Sequence, residues 1–315
     1  EGFDLVEQGL APSSVVVGYG IARARAGEVL DELARPVDAD DEATLADVAA
    51  TTMTTALDPA VRDDLSARVA STVGRLADAG DGDWPNTDHA KVLTAPGVDT
   101  ATYDGLVLSR PADADPNGAG VTTPLTDATV AIVDREIDFE ETASVLDGGK
   151  GIQLTSPEAA TRYRTELDAR VREAAAGLAE RGVDVLVSLE KLDEAVVDAF
   201  ERAGVAVVDK ATYPKEDVYR LAAATGGTVV SKLDDLTADR LGRAGRVERR
   251  AVGDEVWTVF GGCPGPVFTI VTGGATAGEA SRREGAIEDA LATAATAAID
   301  GQVVPGACAP AAAVA

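Results

Sequence analysis

Residues 183–231 read VDVLVSLEKLDEAVVDAFERAGVAVVDKATYPKEDVYRLAAATGGTVVS, and this stretch decides the fold. Val183–Leu189 is a short apolar run rich in β-branched residues, the composition of a strand buried on both faces. Leu192–Ala203 spaces its apolar residues at helical intervals and stops at Gly204. Val205–Val208 is a second strand run, Pro214–Ala224 a second helix halted at Gly226-Gly227, and Thr228–Ser231 a third strand. Strand–helix–strand–helix–strand with short links requires crossovers, so the strands are expected to run parallel under a cover of helices.

Working outward, Val256–Phe260 and Val267–Thr272 add strands, and a final helix over Gly278–Ile299 ends at Gly301. Upstream, Lys91–Leu93, Gly105–Leu108 and Thr129–Val133 are β-rich, and Ser156-Pro157 opens a long helix that ends before Gly182. The first third is helical. One run opens at Pro12-Ser13-Ser14 and closes at Pro36, and a second carries Leu45, Val48, Ala49 and Met53 behind the possible caps Asp40 and Asp41. A third starts at Asp58-Pro59 with Val61, Leu65, Val69, Val73 and Leu76 on one face. An α/β unit over about 105–272 is thus flanked on both sides by helical pieces. That is the pattern of an α/β multi-domain chain with one domain inserted in another.

Length and charge narrow the function. The 315 residues suffice for about two domains. Lys+Arg 28 against Asp+Glu 54 gives a net charge of −26, which repels nucleic-acid phosphates and anionic lipid, so neither nucleic acid nor membrane is an expected partner. Arg replaces Lys almost everywhere and the acid excess runs along the whole chain, the composition expected of a protein kept soluble in a salt-loving archaeal cytosol. No apolar run reaches the roughly 18–20 residues of a membrane span, and no signal peptide is present, so a cytoplasmic location is expected. Two cysteines, Cys263 and Cys308, and one histidine, His89, supply neither a disulfide framework nor a metal or triad constellation. The chain begins without Met, inside a helical run, and ends in an Ala/Val tail, as a fragment would.

Four local features invite chemistry and each has a plain alternative. Asp113-x-Asp115-x-Asn117-Gly118 resembles the start of a calcium loop, but Pro124 stands where the bidentate Glu belongs, so a solvated loop is expected. Val267–Thr272 followed by Gly273-Gly274 and a helix is a strand–turn–helix that could hold a phosphate, or simply a left-handed glycine turn. The Leu146–Gly151 loop is of the same weak kind. Glu284, Glu288 and Asp289 share a helix and read first as solvated surface, while Gln302–Pro310 is a strand-like start running into a Gly/Pro turn.

Taken in order, these segments resemble a group II chaperonin subunit of the thermosome type, collinearly over essentially the whole chain. Glu7-Gln8-Gly9-Leu10-x-Pro12-Ser13 is similar to the family's QGIHPT entry, Asp104–Val107 to DGLVID, and Ile152–Pro157 to IKITSP. Ala203–Gly226 resembles the apical AGI…ATGA stretch, Gly273–Thr276 the end of LLRGGT, Glu288-Asp289-Ala290 LEDA, and Asp300–Pro310 DGKVVPGGGAP. The resemblance implies four things about domains. Residues 1–38 belong to an equatorial domain that 303–315 re-enters. Residues 39–106 and 273–302 form an intermediate domain, 107–272 an apical domain, and a helical protrusion lies near 153–181.

It implies an ATP-dependent chaperone subunit, using ATP with Mg2+, that binds unfolded proteins and folds them inside a homo- or hetero-oligomeric double ring. Asp289 matches the aspartate that activates the attacking water, and Gly306 and Ala307 lie in the nucleotide-contacting turn. Client binding would use Leu154, Tyr163 and Leu167 on the protrusion and Tyr213 and Tyr219 by an apical helix, although Leu167 and Val218 read first as core. The departures bear on activity. Ala307 and Cys308 replace the second and third glycines of GGG, Ala56 the lysine of TGKGA, Gly285 the arginine of ERALEDA and Thr272 that of LLRGG, and the GDGTTT phosphate loop has no counterpart in these residues. A diverged paralogue that holds clients or serves as a scaffold with little or no ATPase is the first alternative. An unrelated small-molecule enzyme built on Gly273-Gly274 is the second.

Overall fold

A computed structural model describes residues 2–53, 57–79, 85–111, 120–135, 137, 139, 157–209, 216–306 and 308–314. The chain divides into two compact units. One comprises Glu1–Asp78, Gly82–Pro85 and Ala286–Ala315, and the other Ala79–Asp81 and Asn86–Gly285.

The first unit is helical. Helix α1 (Gly2–Glu7) and helix α2 (Pro12–Leu33) pack together, and Pro12 opens α2, where its missing N–H costs nothing. Strand β1 (Arg35–Pro36) follows, then α3 (Glu42–Met53) and α4 (Pro59–Ala79). Asp41 is the cap of α3. Its Oδ1 accepts the Thr44 N–H at 3.1 Å, and the Thr44 bonds hold its carboxyl below the usual carboxylate range. Leu45, Ala49 and Met53 bury one face of α3, and Leu65, Val69, Ala70, Val73 and Leu76 one face of α4, as helical spacing predicts.

Strands β2 to β10 belong to the second unit, and eight of them line up in one sheet path. They are β2 (Ala90–Thr94), β3 (Ala101–Pro111), β4 (Leu125–Val133), β5 (Val185–Ser188), β6 (Ala206–Val208), β7 (Val229–Val230), β8 (Gly242–Val252), β9 (Glu255–Gly261) and β10 (Phe268–Thr272). The path runs β2-β10-β3-β9-β8-β4-β5-β6, and β7 joins beside β4. Strands β4, β5, β6 and β7 are parallel to their neighbours in this group, as the 183–231 pattern requires. Their connections are helices α5 (Pro157–Glu180), α6 (Glu194–Arg202) and α7 (Glu216–Thr225).

Alternation places these helices on two faces. Ala131, Val133, Leu186 and Val207 point into one core with Val171, Ala175 and Leu178 of α5 and Val196, Val197 and Phe200 of α6. Val130, Ile132, Val185, Val187 and Val208 point into the other, with Val218, Leu221 and Ala224 of α7. Burial on both faces is why these strands read as unbroken apolar runs.

The rest of the sheet is mostly antiparallel. Strand β3 pairs with β10 through Ala101–Asp104 and with β9 through Gly105–Pro111. At the changeover Gly105 has φ +136°, and a Cβ there would lie 2.0 Å from the Phe260 carbonyl oxygen. Strand β8 was not anticipated. Its residues GRAGRVERRAV lack an apolar alternation, because it buries only Ala244 and Val247 in the α7-side core. The Glu248 carboxylate sits between Arg246 (2.6 Å) and Arg250.

Helix α8 (Ala277–Asp300) ends at Gly301, whose φ of +67° supplies the left-handed stop, and strand β11 (Gln302–Val303) pairs antiparallel with β1. The Val37 N–H donates to the Gly301 carbonyl at 3.0 Å, and α9 (Ala309–Val314) packs on α2. No described helix is long and apolar enough to cross a membrane.

Candidate functional site

In the helical unit, Asp289 lies on α8 with Ala286, Ile287, Ala290, Leu291 and Ala294 buried around it, while Glu288 and Asp289 themselves are exposed. The periodicity that buries the alanines therefore turns the Asp289 carboxylate to water. Its backbone carbonyl accepts the Thr293 hydroxyl at 2.8 Å. An ionised carboxylate accepts hydrogen bonds and donates none, so the group is suited to holding and orienting a water molecule.

After β11 the chain reaches Gly306, the first residue of the turn expected to meet nucleotide. Gly306 is exposed and its carbonyl accepts the Ala309 N–H at 3.1 Å. A Cβ at Gly306 would come no nearer to anything than 3.9 Å, to Thr51 Cγ2 at the end of α3. Cys308 is exposed with φ +62°, a left-handed conformation that glycine adopts freely and other residues seldom do. The backbone at Cys308 thus has a geometry typical of glycine while carrying a side chain. Ala307, and Ala56 beyond the end of α3, lie outside the described residues.

The residues expected to meet clients fall in the α/β unit. On α5, Tyr163, Leu167, Val171, Ala175 and Leu178 form one stripe. Val171, Ala175 and Leu178 are buried in the core, whereas Tyr163 and Leu167 are half-buried. Val218 is core. Tyr219, its neighbour on α7, is 63% exposed. Leu154 and Tyr213 lie outside the described residues, as do the Asp113–Gly118 and Leu146–Gly151 loops.

One arrangement escaped the sequence. Lys91 on β2 is buried, donating from Nζ to the Val107 carbonyl at 2.9 Å and to Asp217 Oδ2 in the first turn of α7. Asp217, 1% exposed, also receives Arg220 Nη1 at 2.9 Å on Oδ1, and Arg220 Nε donates to the Asp88 carbonyl at 2.7 Å. Burial pushes the Lys91 ammonium below the ordinary lysine range, opposed by the Asp217 charge. The available signal was a lysine, one of six in the chain, inside the β-rich run Lys91–Leu93.

The Gly273-Gly274 turn is pressed against neighbouring backbone. Neither glycine has positive φ, which corrects the expectation of a left-handed turn. They are small because backbone passes close by. A Cβ on Gly273 would lie 2.0 Å from the Val98 carbonyl oxygen, and one on Gly274 2.7 Å from the Ala280 nitrogen. The start of α8 is capped in part by its own side chains. Thr276 Oγ1 accepts the Glu279 N–H, Glu279 Oε2 accepts the Ala275 N–H at 2.9 Å, and Arg283 bridges Glu279 Oε1 and the Gly273 carbonyl. The Ala275 N–H and Arg283 hold the Glu279 carboxyl below the usual range. Among the described residues no three His, Cys, Asp or Glu side chains gather as a metal site.

Comparison with known proteins places this geometry. The TCP-1/cpn60 chaperonin family model matches residues 1–315. A thermosome subunit of Methanopyrus kandleri is 32% identical over 312 residues, covering 98% of this chain and 55% of its own length. Thermosome subunit 1 of Haloferax volcanii is 30% identical over 308 residues, covering 98% of this chain and 53% of its own. The open-state monomer of a group II chaperonin from Methanococcoides burtonii shares the fold, with a TM-score of 0.66 at 22% identity over 97% of this chain and 69% of that one. The chain spans about half the length of the curated relatives it matches.

Proposed function

The chain belongs to the TCP-1/cpn60 chaperonin family, and from that premise we propose that it is part of an ATP-dependent chaperone subunit that captures unfolded proteins and folds them inside a cytoplasmic ring assembly. The observation that carries the reading is the Asp289 carboxylate, exposed on a helix whose other face is buried. ATP with Mg2+ would supply the phosphoryl group when bound. In this chain Gly306, Ala307 and the turn around them are the residues offered to nucleotide, and Asp289 orients water. Leu154, Tyr163, Leu167, Tyr213 and Tyr219 are offered to clients. With the proposal goes a functional division into equatorial (1–38, 303–315), intermediate (39–106, 273–302) and apical (107–272) domains. This division is distinct from the two compact units, whose boundaries fall at 78–86 and 285–286.

A second reading has its own support. The side chain of Cys308 occupies a left-handed backbone position next to the nucleotide turn, which favours a client-holding or scaffold subunit with little ATPase. Phosphate release by the full-length protein separates the two. Turnover that falls roughly 100-fold or more in Asp289→Ala supports the ATPase. An inactive parent leaves the scaffold.

A further inference from the structure

The buried polar network at the start of α7 has no part in the nucleotide site, and it surrounds the most exposed aromatic residue among the described residues of the α/β unit. Replacing a buried ion pair with well-packed apolar residues is often neutral or stabilising, so such a pair contributes direction more than strength. Here the direction is specific. The one carboxylate of Asp217 is tied to β2 through Lys91, and Lys91 is tied to β3 through the Val107 carbonyl. Arg220, from the same helix, joins that carboxylate to the Asp88 carbonyl in the turn before β2. Val218 and Leu221 are core residues. Residues 217, 218, 220 and 221 are therefore all anchored, and Tyr219 between them is turned outward, 63% exposed.

We infer that Lys91, Asp217 and Arg220 form a positioning network that fixes the first turn of α7 so that Tyr219 is presented to unfolded polypeptide. This rests on the proposed capture of clients by α7. The network does not touch the client through Lys91, which is buried in the fold. It acts through the angle and order of the turn, sparing the bound state the entropy of ordering Tyr219 at the moment of contact.

The test uses the full-length protein that carries these residues and a permanently unfolded probe, reduced and carboxymethylated α-lactalbumin, with Kd read by fluorescence anisotropy and folding checked by circular dichroism. Tyr219→Ser should weaken binding about tenfold. Lys91→Met, which leaves Asp217 paired with Arg220, should weaken it about fivefold, and the milder Arg220→Lys about twofold. In the Tyr219→Ser background neither second change should weaken it further, because both act through that ring. Should Lys91→Met fail to fold, Arg220→Lys and the exchange of amide hydrogens over 216–225 carry the same comparison. Equal losses in both backgrounds would mean a general structural effect and would overturn the inference. An unchanged Kd in Lys91→Met and Arg220→Lys, with Tyr219→Ser weakened, would overturn it while leaving capture intact. An unchanged Kd in Tyr219→Ser would instead remove capture by α7, and the positioning role with it.

Discussion

Gly105→Ala is expected to cost the α/β unit about 4 kcal/mol. Two terms build that figure. At φ +136° Gly105 occupies backbone space that is nearly closed to L side chains, a penalty of about 1–3 kcal/mol. The new Cβ would also lie 2.0 Å from the Phe260 carbonyl oxygen and 3.3 Å from Cys263 Sγ. Opening 2.0 Å to 3.0 Å moves backbone by about 1 Å at the first rungs of the β3–β9 ladder, where Leu106 pairs with Phe260, both fully buried. Overpacking of that kind costs about 1–3 kcal/mol. A unit with a total stability of about 5–15 kcal/mol would be left near its limit. Urea unfolding followed by Trp257, buried on β9 opposite Ser109, reads the change directly in a Trp84→Phe background. A loss below about 1 kcal/mol would show that β3 does not change partners at a crowded glycine, and the pairing scheme would be wrong there.

Gly285→Ala should do the opposite, raising stability by about 0.5–1 kcal/mol in thermal melts, since Gly285 is interior to α8 and an added Cβ meets nothing within 4 Å. The two thiols should separate in labelling with a maleimide at pH 8. Cys308 is exposed and reacts at once, whereas burial pushes the Cys263 thiol up to about 11 and holds it in reserve. Because the folded Cys263 binds its proton more tightly than the unfolded chain does, its contribution to stability is present below the ordinary thiol range and declines as pH climbs towards 11. With a net charge of −26, the urea midpoint should rise as KCl goes from about 0.1 to 2 M, where screening shortens to a few ångströms. Equal stability at both ends would remove the argument for a salt-adapted chain.

The parallel layer was legible because burial on both faces leaves a composition that little else produces. Val183–Leu189 became Val185–Ser188, and Leu192–Ala203 became Glu194–Arg202. Strand β8 was hidden for the converse reason. Its arginines fall at both odd and even positions, 243 and 249 as well as 246 and 250, so the strand shows no alternation a sequence window could detect. Gly273-Gly274 invited a ligand reading because a glycine pair before a helix looks the same whether it admits a phosphate or another backbone. Only the 2.0 Å approach of Val98 distinguishes them. Asp289 was picked out by resemblance and its exposure follows from the alanine spacing around it. The Lys91–Asp217 pair joins residues 126 apart, a distance at which no local pattern can signal a partner. Tyr163 and Leu167 continue the apolar stripe of α5, and spacing alone could not say where along that stripe the core ends.

Recovery of a denatured enzyme by the full-length protein that carries these residues bears most directly on the chaperonin reading. The account predicts that the denatured enzyme regains activity when ATP and Mg2+ are supplied and stays bound, inactive and unaggregated without them. Aggregation at the same rate with and without the protein would contradict client capture outright.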